Sequence, residues 1–114
     1  MATIYHNPRC SKSRAALHRL QQQGIEPAVV EYLNCPYTEE QLSDLIQRAG
    51  LSVRDVIRSK ESLYTELGLD SPDCSDQALI AAMAAHPILV NRPIVVTQKG
   101  VRLCRSLDVL EEIL

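Results

Sequence analysis

Short apolar runs alternate along this chain with segments whose apolar positions recur every three to four residues. Residues 2–5, "ATIY", form the first run and read as a strand. "HNPRC" then turns. From Ser13, "SRAALHRLQQQG" places Ala16, Leu17 and Leu20 on one face of a helix, with Gly24 as its stop. Residues 28–33, "AVVEYL", are β-branched and aromatic and read as a second strand. Strand, helix and strand within so short a span make a βαβ unit, so the two strands are expected to run parallel.

The middle of the chain is helical in period. "TEEQLSDLIQRAG" carries Thr38 and Gln41 at capping-box spacing, a buried stripe of Leu42, Leu45 and Ile46, and Gly50 at its end. Ser52 caps a short helix bearing Val53, Val56 and Ile57. "ESLYTELGLD" holds one further helical turn. A helix from Asp76 to Ala85 stops ahead of Pro87. "RPIVVTQKGVRLCRS" is a hairpin, two β-rich runs around a three-residue "QKG" loop with glycine last. "SLDVLEEIL" closes the chain as an amphipathic helix capped by Ser106.

This order, βαβ, helices, then ββα, predicts a single domain over residues 1–114. The expected fold is a thioredoxin-like α/β sandwich. It has a mixed four-stranded sheet, helices on both faces, and a helical block inserted between residues 38 and 85. Pro93 begins the third strand, where a missing N–H is tolerated, and the Arg92–Pro93 bond is expected to be cis. Counting outward from the "QKG" loop, Thr97 faces Val101 and Pro93 faces Arg105. Arg92 and Arg105 then meet at the open end of the hairpin. The third strand runs antiparallel to the first, so this end lies beside the end of strand one.

Composition narrows the function classes. The chain has 114 residues, 46% of them hydrophobic, and a net charge of −2 from 12 basic and 14 acidic residues, so a basic nucleic-acid binder is excluded. Nine of the 12 basic residues are Arg, the side chain suited to two-pronged oxyanion binding. No stretch reaches the ~18 apolar residues of a membrane span, and the N-terminus lacks a secretory pattern. The expectation is a soluble, cytoplasmic protein. Cysteines at 10, 35, 74 and 104 form no Cys-x-x-Cys pair and no metal-ligand spacing. They are expected to be free thiols, with Cys35, Cys74 and Cys104 structural.

Cys10 falls between strand one and helix one, within "YHNPRCSKSR". A helix start presents unpartnered N–H groups and a partial positive charge. Cysteines so placed reach pKa values of roughly 3.5–7.5 against ~8.5 for the free side chain. Arg9, Lys12 and Arg14 act in the same direction, and His6 stands close enough in sequence to orient or polarise the thiol. Ser11 and Ser13 are candidate caps or anion donors. A thiolate beside Arg92 and Arg105 suits a tetrahedral oxyanion under nucleophilic attack. The phosphatase pattern Cys-x5-Arg is excluded, because the sixth residue after each cysteine is Ala16, Gln41, Ile80 or Leu110. A Cys-x-x-Cys redox pair is excluded by Ser13. An outside thiol is therefore needed to resolve whatever Cys10 binds.

The stretches "IYHNPRCSKSRAAL", "VIRSKE", "YTELGL", "HPILVNRPIVV" and "GVRLCRS" resemble the ArsC family, the glutaredoxin-linked arsenate reductases, over nearly the whole chain and in order. The resemblance implies reduction of arsenate to arsenite, with glutathione as co-substrate, glutaredoxin as partner and no bound cofactor or metal. It implies that Cys10 is the nucleophile, that His6 helps keep it ionised, and that Arg58, Arg92 and Arg105 hold the oxyanion, with Ser13 in the motif beside them. Arg9 and Lys12 replace smaller or neutral residues, and Ser106 stands where a proline is usual, which leaves the oxyanion itself open. Two other readings share this fold: a transcriptional regulator of the Spx type, and a glutathione-dependent thiol transferase. The first usually begins with Cys-x-x-Cys, which is missing here.

Overall fold

The computed structural model describes residues 2–114. In chain order the elements are β1 (Thr3–His6), α1 (Ser11–Gln22), β2 (Ala28–Glu31), α2 (Glu39–Ala49), α3 (Val53–Val56), α4 (Ser62–Glu66), α5 (Asp76–Ala85), a 3-10 turn (Pro87–Leu89), β3 (Ile94–Thr97), β4 (Gly100–Leu103) and α6 (Leu107–Glu111). They fall into two compact units. One runs as far as Cys35 and resumes at Arg92–Leu114; the other is Pro36–Asn91.

The first unit contains a mixed four-stranded sheet in the order β2-β1-β3-β4. β1 pairs parallel with β2, opposing Ile4 to Val29, and antiparallel with β3, opposing Ile4 to Val95. This is the expected βαβ–ββα arrangement. Alternation along the strands and the i, i+4 repeat of α1 meet in one core. Ile4, Val95 and Cys104 pack with Ala16 and Leu20 of α1 and with Leu110 and Ile113 at the end of the chain. His6 shares the face of Ile4, because side chains two apart on a strand point the same way. It is therefore buried above α1.

Several boundaries differ from the sequence reading; β1 runs Thr3–His6 rather than 2–5, which takes His6 out of the turn and into the strand. α1 begins at Ser11 rather than Ser13, with the Arg14 amide donating to the Cys10 carbonyl as its first turn closes. The polar Ser11 and Lys12 carry no apolar period that could show this turn. β2 ends at Glu31, whose carbonyl accepts the amides of both Asn34 and Cys35 and bends the chain away. The hairpin loop has two residues, Gln98 and Lys99, so Thr97 faces Gly100 rather than Val101. Gly100 opens β4 at φ +152°, a backbone state costly for a residue with a Cβ, and the Thr97 hydroxyl accepts the Lys99 amide across the tight turn. The correction moves Pro93 opposite Cys104, whose amide donates to the Pro93 carbonyl. The Arg92–Pro93 bond is cis.

The second unit is the inserted helical block. Thr38 and Gln41 form the reciprocal capping box, and Gly50 ends α2 in the left-handed conformation. α5 spans the predicted residues, with Ser75 accepting the Ala78 amide as its cap. α2 and α3 pack on α5 and bury Leu42, Leu45, Val56, Leu79 and Met83.

Leu20 is fully buried in the first unit's core. Leu20→Ala is expected to cost about 3 kcal/mol of unfolding free energy, in the range for buried leucine truncations. Urea unfolding checks this, and a loss under about 1 kcal/mol would mean that this cluster is not the centre of the unit.

Candidate active site

Asn7 shapes the junction between β1 and α1. Its carbonyl accepts the Cys10 amide at 3.0 Å, its side-chain Oδ1 accepts the Arg9 amide at 3.0 Å, and its own amide donates to the Ser13 hydroxyl at 3.0 Å. Short Asn side chains close such turns on their own backbone, and the following Pro8 fixes the chain direction. Cys10 is delivered as the N-cap residue in an extended conformation, φ −92° and ψ 122°.

At this position the thiol meets opposed influences. Burial is the largest, and by itself it pushes the pKa up. The backbone amides of Ser13 and Lys12 donate hydrogen bonds to the sulfur, and the Arg92 guanidinium adds its charge and a further hydrogen bond. Together these outweigh burial and bring Cys10 below the ordinary cysteine value. Arg92 stands two residues before β3, whose start lies beside the end of β1 through the pairing of Tyr5 with Ile94.

Arg105 reaches the same place by a route the strand count did not foresee. β4 ends at Leu103, and the Arg105 amide turns back onto the Leu103 carbonyl at 3.2 Å. The guanidinium Nη1 then donates to the Arg92 carbonyl at 2.7 Å. Lys12 Nζ donates to the Arg105 carbonyl at 3.2 Å and ties this loop to α1. Sulfur, Arg92, Arg105 and Lys12 are thus linked in one connected set.

His6 and Ser13 form a buried pair, Nδ1 to Oγ at 2.6 Å. Burial is the main cause that lowers the His6 pKa; Glu31 opposes it and Arg14 assists it. The ring is therefore neutral at neutral pH. It acts on the junction through Ser13, whose hydroxyl also receives the Asn7 amide, while the Ser13 amide faces the sulfur. The Ser13 side chain is fully buried and its hydroxyl engages these neighbours.

Arg58 belongs to the second unit, just past α3. Its amide donates to the Leu89 carbonyl at 2.7 Å, and its guanidinium pairs with Glu61 at 2.9 Å. Among the other cysteines, burial pushes Cys104 up to about 12, which makes it an inert core thiol; Cys35 is exposed and Cys74 half-buried. Among the described residues no group of three or more His, Cys, Asp or Glu is placed to hold a metal ion, and no helix is long and apolar enough to cross a membrane. The sequence reading missed Asn7, although Asn-Pro at a strand–helix junction is a readable turn signal. It also missed the tie between Lys12 and Arg105, which joins residues 93 positions apart.

Two measurements check this geometry. The rate of iodoacetamide alkylation at Cys10 is expected to rise with pH and level off below the ordinary cysteine pKa, because alkylation follows the thiolate. Arg92→Ala moves that inflection upward, and an unmoved inflection would show that Arg92 does not act on the sulfur. The His6 ring protons, followed by NMR, are expected to titrate below the usual histidine range.

Comparison with known proteins agrees with this arrangement. Over 112 residues the chain is 51% identical to a protein named arsenate reductase from Rhizobium meliloti, covering 98% of this chain and 80% of that one. It is 48% identical to another of that name from Escherichia coli, covering 98% and 79%. The solved structure of an arsenate reductase from Vibrio cholerae superimposes with a TM-score of 0.94 at 50% identity, covering 99% of this chain and 97% of that one. Residues 5–113 match the ArsC family. The chain, a thioredoxin-like α/β fold with a cysteine at the start of its first helix, belongs to the ArsC family.

Proposed function

We propose that this protein is an arsenate reductase and that the two units act together as one ArsC domain. The observation that carries this reading is the Cys10 sulfur, whose pKa two backbone amides and Arg92 draw below the ordinary cysteine value, with Arg105 fastened to the Arg92 carbonyl. The names of its relatives and the span of the family match support it.

The chemistry follows from those groups. The Cys10 thiolate attacks the arsenic of arsenate; a sulfur–arsenic bond forms and one oxygen leaves as hydroxide, which takes a proton to become water. Arg92 and Arg105 offset the charge of the incoming anion and of the resulting thioarsenate. Guanidinium groups suit this task because they remain charged and offer donors in a fixed plane. A glutathione thiol then attacks the Cys10 sulfur. The sulfur–arsenic electron pair goes to arsenic, which falls from the +5 to the +3 state and departs as arsenite, while the two sulfurs are oxidised to a mixed disulfide. A glutaredoxin thiol takes the glutathione from Cys10 and restores the enzyme. With Ser13 where a second cysteine of a Cys-x-x-Cys pair would stand, the chain supplies no partner thiol at that spacing, so the external reductant is needed.

His6 enters as a positioning residue. It holds Ser13, and Ser13 presents its amide to the sulfur. Arg58 is included as a third oxyanion ligand on the family resemblance. No resident cofactor takes part in this scheme, which places the protein in the cytoplasm, where glutathione is abundant, with no role for nucleic acid or membrane.

The test is arsenate-dependent NADPH oxidation with glutathione, glutaredoxin and glutathione reductase. Turnover is expected with wild type, and Cys10→Ser is expected to lose at least ~10³-fold, since it removes the nucleophile. Arg92→Ala and Arg58→Ala are each expected to lose ~10²-fold, the scale for deleting one charged donor to a reacting anion. Absence of turnover at millimolar arsenate would falsify the assigned activity.

A further inference from the structure

Two sets of cations in the first unit differ in their partners. Arg19 pairs with Glu111 at 2.6 Å and Arg102 with Glu112 at 3.1 Å, both on surface away from the thiol. Arg9, Lys12, Arg14 and Arg105, all near Cys10 in sequence or in the connected set, take part in no ion pair among the described residues. Lys12 and Arg14 instead donate to backbone carbonyls, those of Arg105 and Pro8. In a chain of net charge −2, leaving these cations without acids concentrates positive potential at one end of the unit.

Beside this end lies a cavity of about 130 Å³ lined by Lys12, Ala15, Cys104, Arg105, Ser106 and Leu107. Two of its lining residues, Lys12 and Arg105, are cationic, Ser106 carries a hydroxyl, and no acidic residue lines it. Lys12 Nζ has three protons and Arg105 five N–H groups, so each retains donors beyond the bond it makes to a carbonyl. Cys104 is an inert core thiol and, with Ala15 and Leu107, supplies an apolar wall. Cys10 is not part of the lining, so an anion bound here is not the one attacked. Yet Arg105 touches the Arg92 carbonyl, and Arg92 touches the Cys10 sulfur. An occupant that also reacts with Cys10 would be anchored here by an anionic group and present its other end to the sulfur.

We infer that this cavity is a carboxylate subsite for the reducing thiol, a small peptide-like thiol that anchors a carboxylate between Lys12, Arg105 and Ser106. This rests on the reading that an external thiol resolves Cys10. A three-residue chain spans about 10 Å, enough to bridge neighbouring residues of one site. The apolar wall accepts the aliphatic part of such a molecule.

The probe is S-methylglutathione, which retains both carboxylates but cannot react. Titrated into the nitrogen-15-labelled protein, it is expected to shift the amides of Lys12, Ala15, Ser106 and Leu107 to saturation, and its diethyl ester is expected to bind at least about tenfold more weakly. Lys12→Gln and Ala15→Glu are each expected to weaken S-methylglutathione about fivefold or more and the ester less than twofold, because only the first ligand carries the charge they oppose. Equal affinity for acid and ester, shifts confined to other amides, or displacement of the probe by sulfate at equal affinity each overturns the subsite; the last would make the cavity a simple oxyanion hole. Arsenate turnover is read separately. Binding as described without arsenate reduction keeps the subsite and removes arsenate as substrate, whereas thiol-driven arsenate reduction without these shifts removes the subsite alone.

Discussion

A buried sulfur whose pKa is held below the ordinary cysteine value is the constraint around which the first unit is arranged. Burial opposes the charge, and nothing acidic can be tolerated in contact with it. The compensation comes from two backbone amides at the start of α1 and from one guanidinium. Amides of this kind are available only where a helix begins, since further along each is taken by the carbonyl four residues back. Cys10 must therefore stand at the N-cap, immediately ahead of the first helical residue. Asn7 enforces that placement by folding the junction onto three of its own polar groups. His6 and Ser13 seal it from beneath.

Topology brings the guanidinium groups to the same place. Because β3 runs antiparallel to β1, the residue that enters β3 lies at the end of the sheet where β1 finishes. The hairpin then returns β4 to that end. A two-residue loop sets the pairing one step tighter than a three-residue loop would, which on an extended strand turns every side chain to the other face. The pair of arginines survives this because β4 stops at Leu103. Arg105 lies in a turn, where strand alternation no longer applies, and it is held by contacts to the Arg92 and Leu103 backbones.

Charge is sorted over this unit to suit an anionic reaction. Arg19 and Arg102 are neutralised by Glu111 and Glu112, while Lys12, Arg14 and Arg105 are tied to carbonyl oxygens. A carbonyl holds a cation in position and leaves most of its charge available, so the region attracts anions without an internal acid having to be displaced. The same logic covers both the oxyanion proposed at Cys10 and the carboxylate-bearing thiol proposed beside it.

Much of this was legible in the sequence. The βαβ and ββα patterns, the capping box of Thr38 and Gln41, α5 from Asp76 to Ala85 and the cysteine at a helix start are local, set by periodicity and by turn and cap chemistry. The candidate residues Cys10, His6, Ser13, Arg92 and Arg105 could be named from one stretch and one hairpin. The tertiary structure decided the rest. It set the hairpin register, through the backbone state of Gly100. It gave His6 to Ser13, because the β1 residue His6 is buried against α1, which carries Ser13. It tied Lys12 to Arg105 across 93 residues of sequence. It also decided that burial of the sulfur is outweighed by the groups around it. Such outcomes depend on which donors and charges packing brings within a few ångströms, and in a linear sequence those groups are far apart.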